Sequence, residues 1–171
     1  DVDGDGNLDI YFVTQKGENQ LWRNVGGGAF ENITTPAIAL GDRTSVTASF
    51  ADIDNDGDPD LFVSTVRCGN AMFENTGDGK FTDISAASGL DYNGHSSGAV
   101  FFDYDRDGLL DLFVCNVGIY TTDEIAPDGN YMGFEISFFN HLEEKYDERS
   151  LLYRNLGGNR FEEVAEKVGL I

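Results

Sequence analysis

Three acidic loops of one form recur at an interval of 51 residues, at positions 1–9, 52–60 and 103–111. Their sequences are DVDGDGNLD, DIDNDGDPD and DYDRDGLLD, so Asp stands at loop positions 1, 3, 5 and 9, and Gly at position 6. The carboxylates supply hard oxygen ligands around one point, and the glycine permits the sharp turn that folds them inward. Carboxylates held so close repel one another unless a cation neutralises them. The three loops therefore predict three calcium sites.

Each loop is predicted to bind one Ca²⁺, about three per chain, through loop positions 1, 3, 5, 7 and 9. Position 7 is expected to offer only its backbone carbonyl, so a leucine is acceptable there. A solvated acidic turn is the alternative, because Asp, Asn and Gly favour turns without any metal. However, the loop occurs three times with Asp at the same four positions, and this repetition favours metal binding. The predicted ligands are Asp1, Asp3, Asp5, Asn7, Asp9, Asp52, Asp54, Asp56, Asp58, Asp60, Asp103, Asp105, Asp107, Leu109 and Asp111.

The loops differ from an EF-hand at position 12, where that motif carries a bidentate Glu. Phe12, Val63 and Val114 stand there instead, so the ninth-position Asp is expected to take over this role. Each loop is followed by an apolar run, IYFV, LFV or LFV, and such β-branched and aromatic runs are typical of buried strands. Each loop is therefore predicted to join two strands.

Further strand signals complete each repeat. A short run ending in Asn (LWRN, MFEN or LYRN) leads into a glycine-rich turn, and a strand that begins with Phe follows at 30–33, 81–84 or 161–164. Another strand precedes the second and third loops, at 46–51 and 99–102. Four short antiparallel strands repeated at about 50 residues are typical of a β-propeller blade. A β-sandwich is the alternative, but it would not be expected to repeat a metal loop between its strands.

The chain resembles the FG-GAP repeat family, also called VCBS repeats, over nearly its whole length. The most specific matches are FFDYDRDG at 101–108 with DLFV at 111–114, and LYRN at 152–155 with the Phe161 and the GL at 169–170 that follow. Within the family the chain is most similar to bacterial relatives of cartilage acidic protein. The resemblance implies an integrin-α-like propeller with calcium in the blade hairpins. It also implies a secreted binding or scaffold module that is usually part of a longer chain.

The expected fold is all-β, a propeller segment of three four-stranded blades at approximately 1–45, 46–96 and 97–171. The first blade is expected to be incomplete, because loop 1–9 starts at the first residue and the strand before it is missing. Closed propellers have four to eight blades. We therefore expect either a fragment of a larger propeller or closure through other chains, with a homo-oligomer or filament if the chain is complete.

An insertion of 29 residues interrupts the third repeat, at approximately 118–148. The last loop Asp and the closing Asn lie 15 residues apart in the first two repeats but 44 residues apart in the third. Because hairpins of an antiparallel meander alternate ends, the insertion is expected opposite the calcium loops, where insertions often build a binding surface. Its second half is predicted to form a helix at 135–148. It is expected either to cap the open face or to bind a protein or glycan ligand. Its aromatic and acidic residues are Tyr120, Tyr131, Phe134, Phe138, Phe139, Tyr146, Glu143, Glu144, Asp147 and Glu148.

The net charge of −20 at pH 7 argues against nucleic acid or an anionic membrane as a partner. The sequence has no signal peptide and no apolar run long enough to span a bilayer, so the chain is expected to be either mature or truncated. Calcium loops suit the calcium-rich environment outside the cell. This predicts a secreted, cell-surface or periplasmic protein.

Enzymatic activity is not predicted. His95 and His141 have no Ser or Cys nucleophile in a motif context, and neither GxSxG nor HExxH occurs. A calcium-dependent polysaccharide lyase is the alternative, although no Lys or Arg cluster is visible on the expected open face.

The two cysteines form no zinc pattern. Cys68 and Cys115 are predicted to be buried thiols, with a disulfide between blades as the alternative. The sequon NIT would place a glycan on Asn32 in a suitable host.

Overall fold

The computed structural model describes residues 1–127, 129, 131–133 and 147–170. Short antiparallel strands dominate these residues, and none of the helices among them has the length and apolar character of a membrane span. The helical turns are α1 (Pro36–Ala39) and α2 (Ser85–Ser88). The strands are β1 (Ile10–Phe12), β2 (Gln20–Asn24), β3 (Phe30–Asn32), β4 (Ser45–Ala51), β5 (Asp60–Thr65), β6 (Ala71–Asn75), β7 (Phe81–Asp83), β8 (Ser96–Phe102), β9 (Asp111–Asn116), β10 (Thr121–Ile125), β11 (Tyr131–Gly133), β12 (Leu151–Asn155) and β13 (Phe161–Glu163).

Three successive sheets follow the sequence repeat. Blade 1 consists of β1-β2-β3, blade 2 of β4-β5-β6-β7, and blade 3 of β8-β9-β12-β13, and every pairing within them is antiparallel. Strands β10 and β11 form a separate hairpin. The all-β fold of propeller blades predicted from the sequence is confirmed, including a three-stranded first sheet in the described part of the chain.

The central strand β5 shows how the blades pack. Its side chains alternate, so Leu61 and Val63 lie in the core shared with blade 1, whereas Phe62 lies in the core shared with blade 3. All six β5 residues are buried. A strand that is covered on both faces requires a continuous apolar run instead of an alternating one. The LFV run of the sequence is such a continuous run.

Two apolar cores join the three blades. The core between blades 1 and 2 contains Val2, Leu21, Ile38, Leu40, Leu61, Val63, Ala71 and Phe73. The core between blades 2 and 3 contains Ala51, Ile53, Phe62, Met72, Leu90, Leu112, Val114, Tyr153 and Phe161. Loop residues Val2 and Ile53 belong to these cores, so an apolar side chain at the second position anchors the first and the second acidic loop.

The expectation that both cysteines are buried is wrong. Cys68 and Cys115 are free thiols, and each is partly exposed. Cys68 lies in the connection that follows β5. Cys115 lies opposite Gly98, beside an irregularity in the β8–β9 pairing, and a glycine has no side chain to cover the thiol.

The described part of the insertion in blade 3 consists mainly of the β10–β11 hairpin. It follows the end of β9 that is remote from the loop at 103–111, as the alternation of hairpins predicts. The predicted helix at 135–148 lies outside the described residues except for its last two positions. Several of the candidate binding residues also lie outside them, namely Phe134, Phe138, Phe139, Tyr146, Glu143 and Glu144, as does His141.

Candidate metal centres

Each acidic loop wraps around the carboxylate of its first Asp. In the loop at 52–60, hereafter loop 2, Asp52 accepts hydrogen bonds from the backbone N–H groups of Asp56 (3.1 Å) and Gly57 (3.0 Å). Gly57 has a φ of 98°, a conformation that favours glycine. Loop 3, at 103–111, repeats both bonds to Asp103, and loop 1, at 1–9, repeats the glycine bond. The glycine at loop position 6 therefore forms the turn that the sequence predicts.

The folded loops bring carboxylates together in threes. Within each group, ligand atoms of three Asp side chains lie within 4.8 Å of one another. Loop positions 1 and 3 belong to every group, whereas position 5 belongs only to the group in loop 1 and position 9 only to those in loops 2 and 3. The structure brings these Asp residues together, and the coordinating role of every predicted ligand stays a prediction. The groups are Asp1, Asp3 and Asp5; Asp52, Asp54 and Asp60; and Asp103, Asp105 and Asp111.

The ninth-position Asp also ties each loop to its blade. Asp60 accepts hydrogen bonds from the backbone N–H of Ile53 (3.0 Å) on one oxygen and of Asn75 (2.8 Å) on the other. The equivalent pair of bonds forms at Asp9 and at Asp111. Each carboxylate oxygen has a second lone pair, so it can accept such a bond and still face a cation. The expected bidentate role of this Asp remains a prediction.

Carboxylate burial makes loop 2 electrostatically unfavourable without a cation. Burial, the largest cause, and repulsion from Asp54 and Asp56 together raise the pKa of Asp60 to about 6, against the opposing effect of its backbone hydrogen bonds. Burial is also the main cause that raises the pKa of Asp54 and of Asp111. A bound cation would oppose these shifts, because it favours the charged form of each carboxylate.

The chemistry of the groups fits calcium. Every member of the three groups is a carboxylate, and hard oxygen ligands suit Ca²⁺ in preference to metals that favour imidazole or thiolate. If Ca²⁺ binds, the grouped Asp residues would hold it, and the ion would supply the positive charge that lets them lie together.

The closing Asn of blades 2 and 3, which the sequence pattern indicates only as the end of a strand, connects each of these blades to the blade before it. Asn75 in blade 2 donates to the carbonyl of Val2 in loop 1 (2.9 Å), and Asn155 in blade 3 donates to the carbonyl of Ile53 in loop 2 (2.7 Å). Both Asn side chains are buried. The sequence signal for this role is that Asn recurs at the same position in every repeat.

Comparison with known proteins places these features in one family. A family model described as an FG-GAP-like repeat matches residues 1–63 and 52–114, which together span 1–114 of the 171 residues. The chain belongs to the FG-GAP-like repeat family. The two matches begin 51 residues apart, which is the interval between the acidic loops.

Three vertebrate proteins named Cartilage acidic protein 1 are similar to the chain. The Homo sapiens protein is 28% identical over 127 aligned residues, and the match covers 67% of this chain and 19% of that protein. The Mus musculus protein is 26% identical over 125 residues, with the same coverage of both chains, and the Xenopus tropicalis protein is 36% identical over 64 residues, 36% of this chain and 10% of that protein. The chain thus spans about a fifth of the length of its human and mouse relatives. The resemblance to FG-GAP repeats predicted from the sequence is confirmed.

The insertion departs from the other two FG-GAP-like repeats and packs on the side of blade 2 away from its loop. Arg67, in the turn after β5, donates to the carbonyl of Thr122 (2.8 Å) and pairs with Asp123 (2.7 Å). Its guanidinium carbon lies 4.1 Å from the centroid of the Tyr131 ring. One arginine therefore contacts both strands of the β10–β11 hairpin.

A buried histidine fixes the two ends of the insertion. His95 approaches Glu148 through Nδ1 (3.0 Å) and Thr121 through Nε2 (2.8 Å), and its backbone N–H donates to Glu148 (2.7 Å). The side chain is only 2% exposed and stacks edge-on against Tyr120. These contacts give His95 a structural role and leave neither ring nitrogen directed at solvent.

Replacing Arg67 is expected to loosen the hairpin without unfolding the blades. The Arg67→Ala variant loses the Thr122 and Asp123 contacts and the stacking on Tyr131, so the local opening of the hairpin becomes more frequent. We expect cleavage by a glutamate-specific protease after the exposed Glu124 to become about tenfold faster, because proteolysis follows the population of the open form. Mass spectrometry of timed digests measures this rate.

The Arg160→Ala variant is the control, since Arg160 is exposed in the turn between β12 and β13. It removes the same charge and is expected to leave the cleavage rate after Glu124 unchanged. Equal rates in the two variants would contradict the anchoring role of Arg67.

Proposed function

We propose that the chain is a calcium-binding extracellular repeat module that acts as a binding, adhesion or structural scaffold. The observation that carries this proposal is the convergence of three carboxylates in every one of the three repeated loops. In this proposal each Ca²⁺ neutralises its loop, fixes the hairpin between two strands and stiffens the blade. Metal binding is then coupled to folding.

The family and the relatives support a non-enzymatic role outside the cell. The human and mouse relatives are named for cartilage, and the family model matches two FG-GAP-like repeats of this chain. Both ring nitrogens of the buried His95, which lies beside the insertion, already have protein partners. We place the protein or glycan ligand of the module on the insertion face, because Arg67 and the β10–β11 hairpin project there from the repeat array.

The Asp54→Ala variant tests the calcium proposal. Asp54 belongs to the carboxylate group of loop 2, and its replacement is expected to reduce bound calcium from three ions to two in native mass spectra. If free calcium exceeds the dissociation constant about 100-fold, the variant should lose about 2–3 kcal/mol of stability in calcium buffer. In EDTA the two proteins should unfold at nearly the same temperature.

The control is Asp42→Ala, which removes an exposed carboxylate outside the three loops and should keep all three ions. Equal losses of stability in calcium and in EDTA would refute metal-coupled folding. A wild-type protein that binds no calcium would overturn the proposed function itself.

A self-assembling filament is a second candidate, favoured by apolar residues on the outer blades. Ile10 and Phe12 of blade 1 are exposed, although they occupy the positions of Leu61 and Val63, which are buried in blade 2. Phe102 of blade 3 is likewise exposed. Such faces permit head-to-tail association. The same native mass spectra decide between the two candidates, because an oligomer that EDTA disperses would indicate assembly and a monomer would contradict it.

A further inference from the structure

The residue before each closing Asn differs in charge among the three blades. The position is occupied by Arg23 in blade 1, Glu74 in blade 2 and Arg154 in blade 3. Two of these side chains pair with loop carboxylates: Arg23 approaches Asp3 (3.7 Å), and Arg154 approaches Asp105 (2.7 Å). The repeat therefore places a charged residue of variable sign beside a constant acidic loop.

Arg154 lies directly against the carboxylates of loop 3. Its Nε is 2.7 Å from an oxygen of Asp105, and its Nη2 donates to Asp107 (3.2 Å). The cross-strand neighbour of Arg154 is Glu162, which pairs with Lys167 on its other side. Arg154 thus supplies positive charge to two of the carboxylates that would bind the metal, and Asp105 belongs to the converging group of loop 3.

Loop 2 has the opposite surroundings. Glu74 replaces the arginine, and its carboxylate accepts a hydrogen bond from the side chain of Asn159 in blade 3 (2.7 Å), which holds it in place. Glu74 occupies the same position in β6 that Arg154 occupies in β12. Loop 2 also carries Asp58 where loop 3 carries Leu109. More negative charge, with a glutamate in place of the arginine, favours a tighter site for a divalent cation.

We propose that loop 2 is the high-affinity calcium site and loop 3 a low-affinity site, in which Arg154 acts as an internal cation that competes with the metal for Asp105 and Asp107. This inference rests on the proposed calcium binding. It concerns loops 2 and 3 alone, because these two loops differ in the charge of the residue before the closing Asn, which is Glu74 in blade 2 and Arg154 in blade 3. The charge beside the closing Asn would then set the order in which the blades bind calcium.

Site-resolved calcium titration by NMR tests this order. The amides of Gly57 and Gly108 each donate to the first Asp of their loops at 3.0 Å, so their resonances report on loops 2 and 3 separately. In the wild-type chain we expect Gly57 to reach its midpoint at a calcium concentration about tenfold lower than Gly108. In the Arg154→Gln variant the Gly108 midpoint should fall about tenfold, while the Gly57 midpoint stays in place.

Two further variants complete the test. Glu74→Gln should raise the Gly57 midpoint several-fold and leave Gly108 unchanged, because it removes one negative charge from loop 2 only. Arg160→Gln, which removes a charge from an exposed turn of the same blade, should leave both midpoints unchanged. The dispersion of the remaining amide resonances shows that each variant is folded.

The outcomes separate this inference from the proposed function. If neither glycine resonance responds to calcium, the proposed calcium binding fails. If both resonances respond at the same calcium concentration, or if Gly108 responds first, the calcium sites stand and the role of Arg154 is refuted. The same conclusion holds if Arg154→Gln shifts the Gly108 midpoint no more than Arg160→Gln does.

Discussion

The Asn155→Ala variant is expected to lose about 3–5 kcal/mol of stability, because it leaves several buried backbone groups without a partner. Asn155 Nδ2 donates to the carbonyls of Ile53 (2.7 Å) and Leu110 (3.1 Å), and its Oδ1 accepts from the N–H of Gly157 (2.9 Å). The residue is 1% exposed, so water has little access to replace these bonds. Urea unfolding at a fixed calcium concentration measures the loss.

Asn24→Ala is the matched control, since Asn24 is the closing Asn of blade 1. It is partly exposed, and its Nδ2 donates at 3.2 Å to the carbonyl of Leu8 within its own blade. We expect this variant to lose about 1 kcal/mol or less. Similar losses for Asn24→Ala and Asn155→Ala would show that the bond between blades contributes little.

The hydrogen bond that a closing Asn forms between two blades also links their acidic loops. Asn155 connects loop 2 to loop 3, because its side chain reaches Ile53 and its backbone N–H donates to Asp111. Asn75 connects loop 1 to loop 2 in the same manner through Val2 and Asp60. Neighbouring loops are therefore parts of one hydrogen-bonded array, and a change in one loop acts directly on the blade that follows.

The sequence predicted the features that depend on local spacing. The acidic loops, the strands that flank them and the glycine turns all follow from residue types within one repeat, such as Gly57 at φ 98°. Because this pattern occurs three times, it also predicted that each repeat forms one blade. The location of the insertion away from loop 3 also followed, because it depends only on the alternation of hairpins.

Features that depend on contacts between repeats were not predicted. The difference between Arg154 and Glu74 is visible in the sequence, but only the folded structure shows that Arg154 lies against the carboxylates of loop 3. The partial exposure of Cys115 arises from Gly98 on the opposite strand, which no pattern within β9 reveals. The contacts of Arg67 with the insertion join residues more than 50 positions apart.

Equivalent positions in different blades differ in burial for the same reason. Phe62 and Phe113 occupy the same place in β5 and β9, 51 residues apart. Phe62 is fully buried between blades 2 and 3, whereas Phe113 is partly exposed on the far side of blade 3. A repeat pattern therefore predicts which positions are apolar, and the neighbouring blade decides how much each one contributes to stability.

Phe62→Ala is expected to cost about 3–5 kcal/mol, the range for removing a fully buried aromatic side chain and leaving a cavity. Phe62 packs among Met72 and Leu112, and its ring meets that of Phe101 edge-on at a centroid distance of 6.3 Å. Phe113→Ala is the matched variant and should cost about 1–2 kcal/mol, because a partly exposed side chain loses less apolar burial. Urea unfolding of both variants at one calcium concentration gives the comparison. Equal costs would contradict the packing of blades 2 and 3 described here, because the two residues differ in their neighbours and not in their position within the repeat.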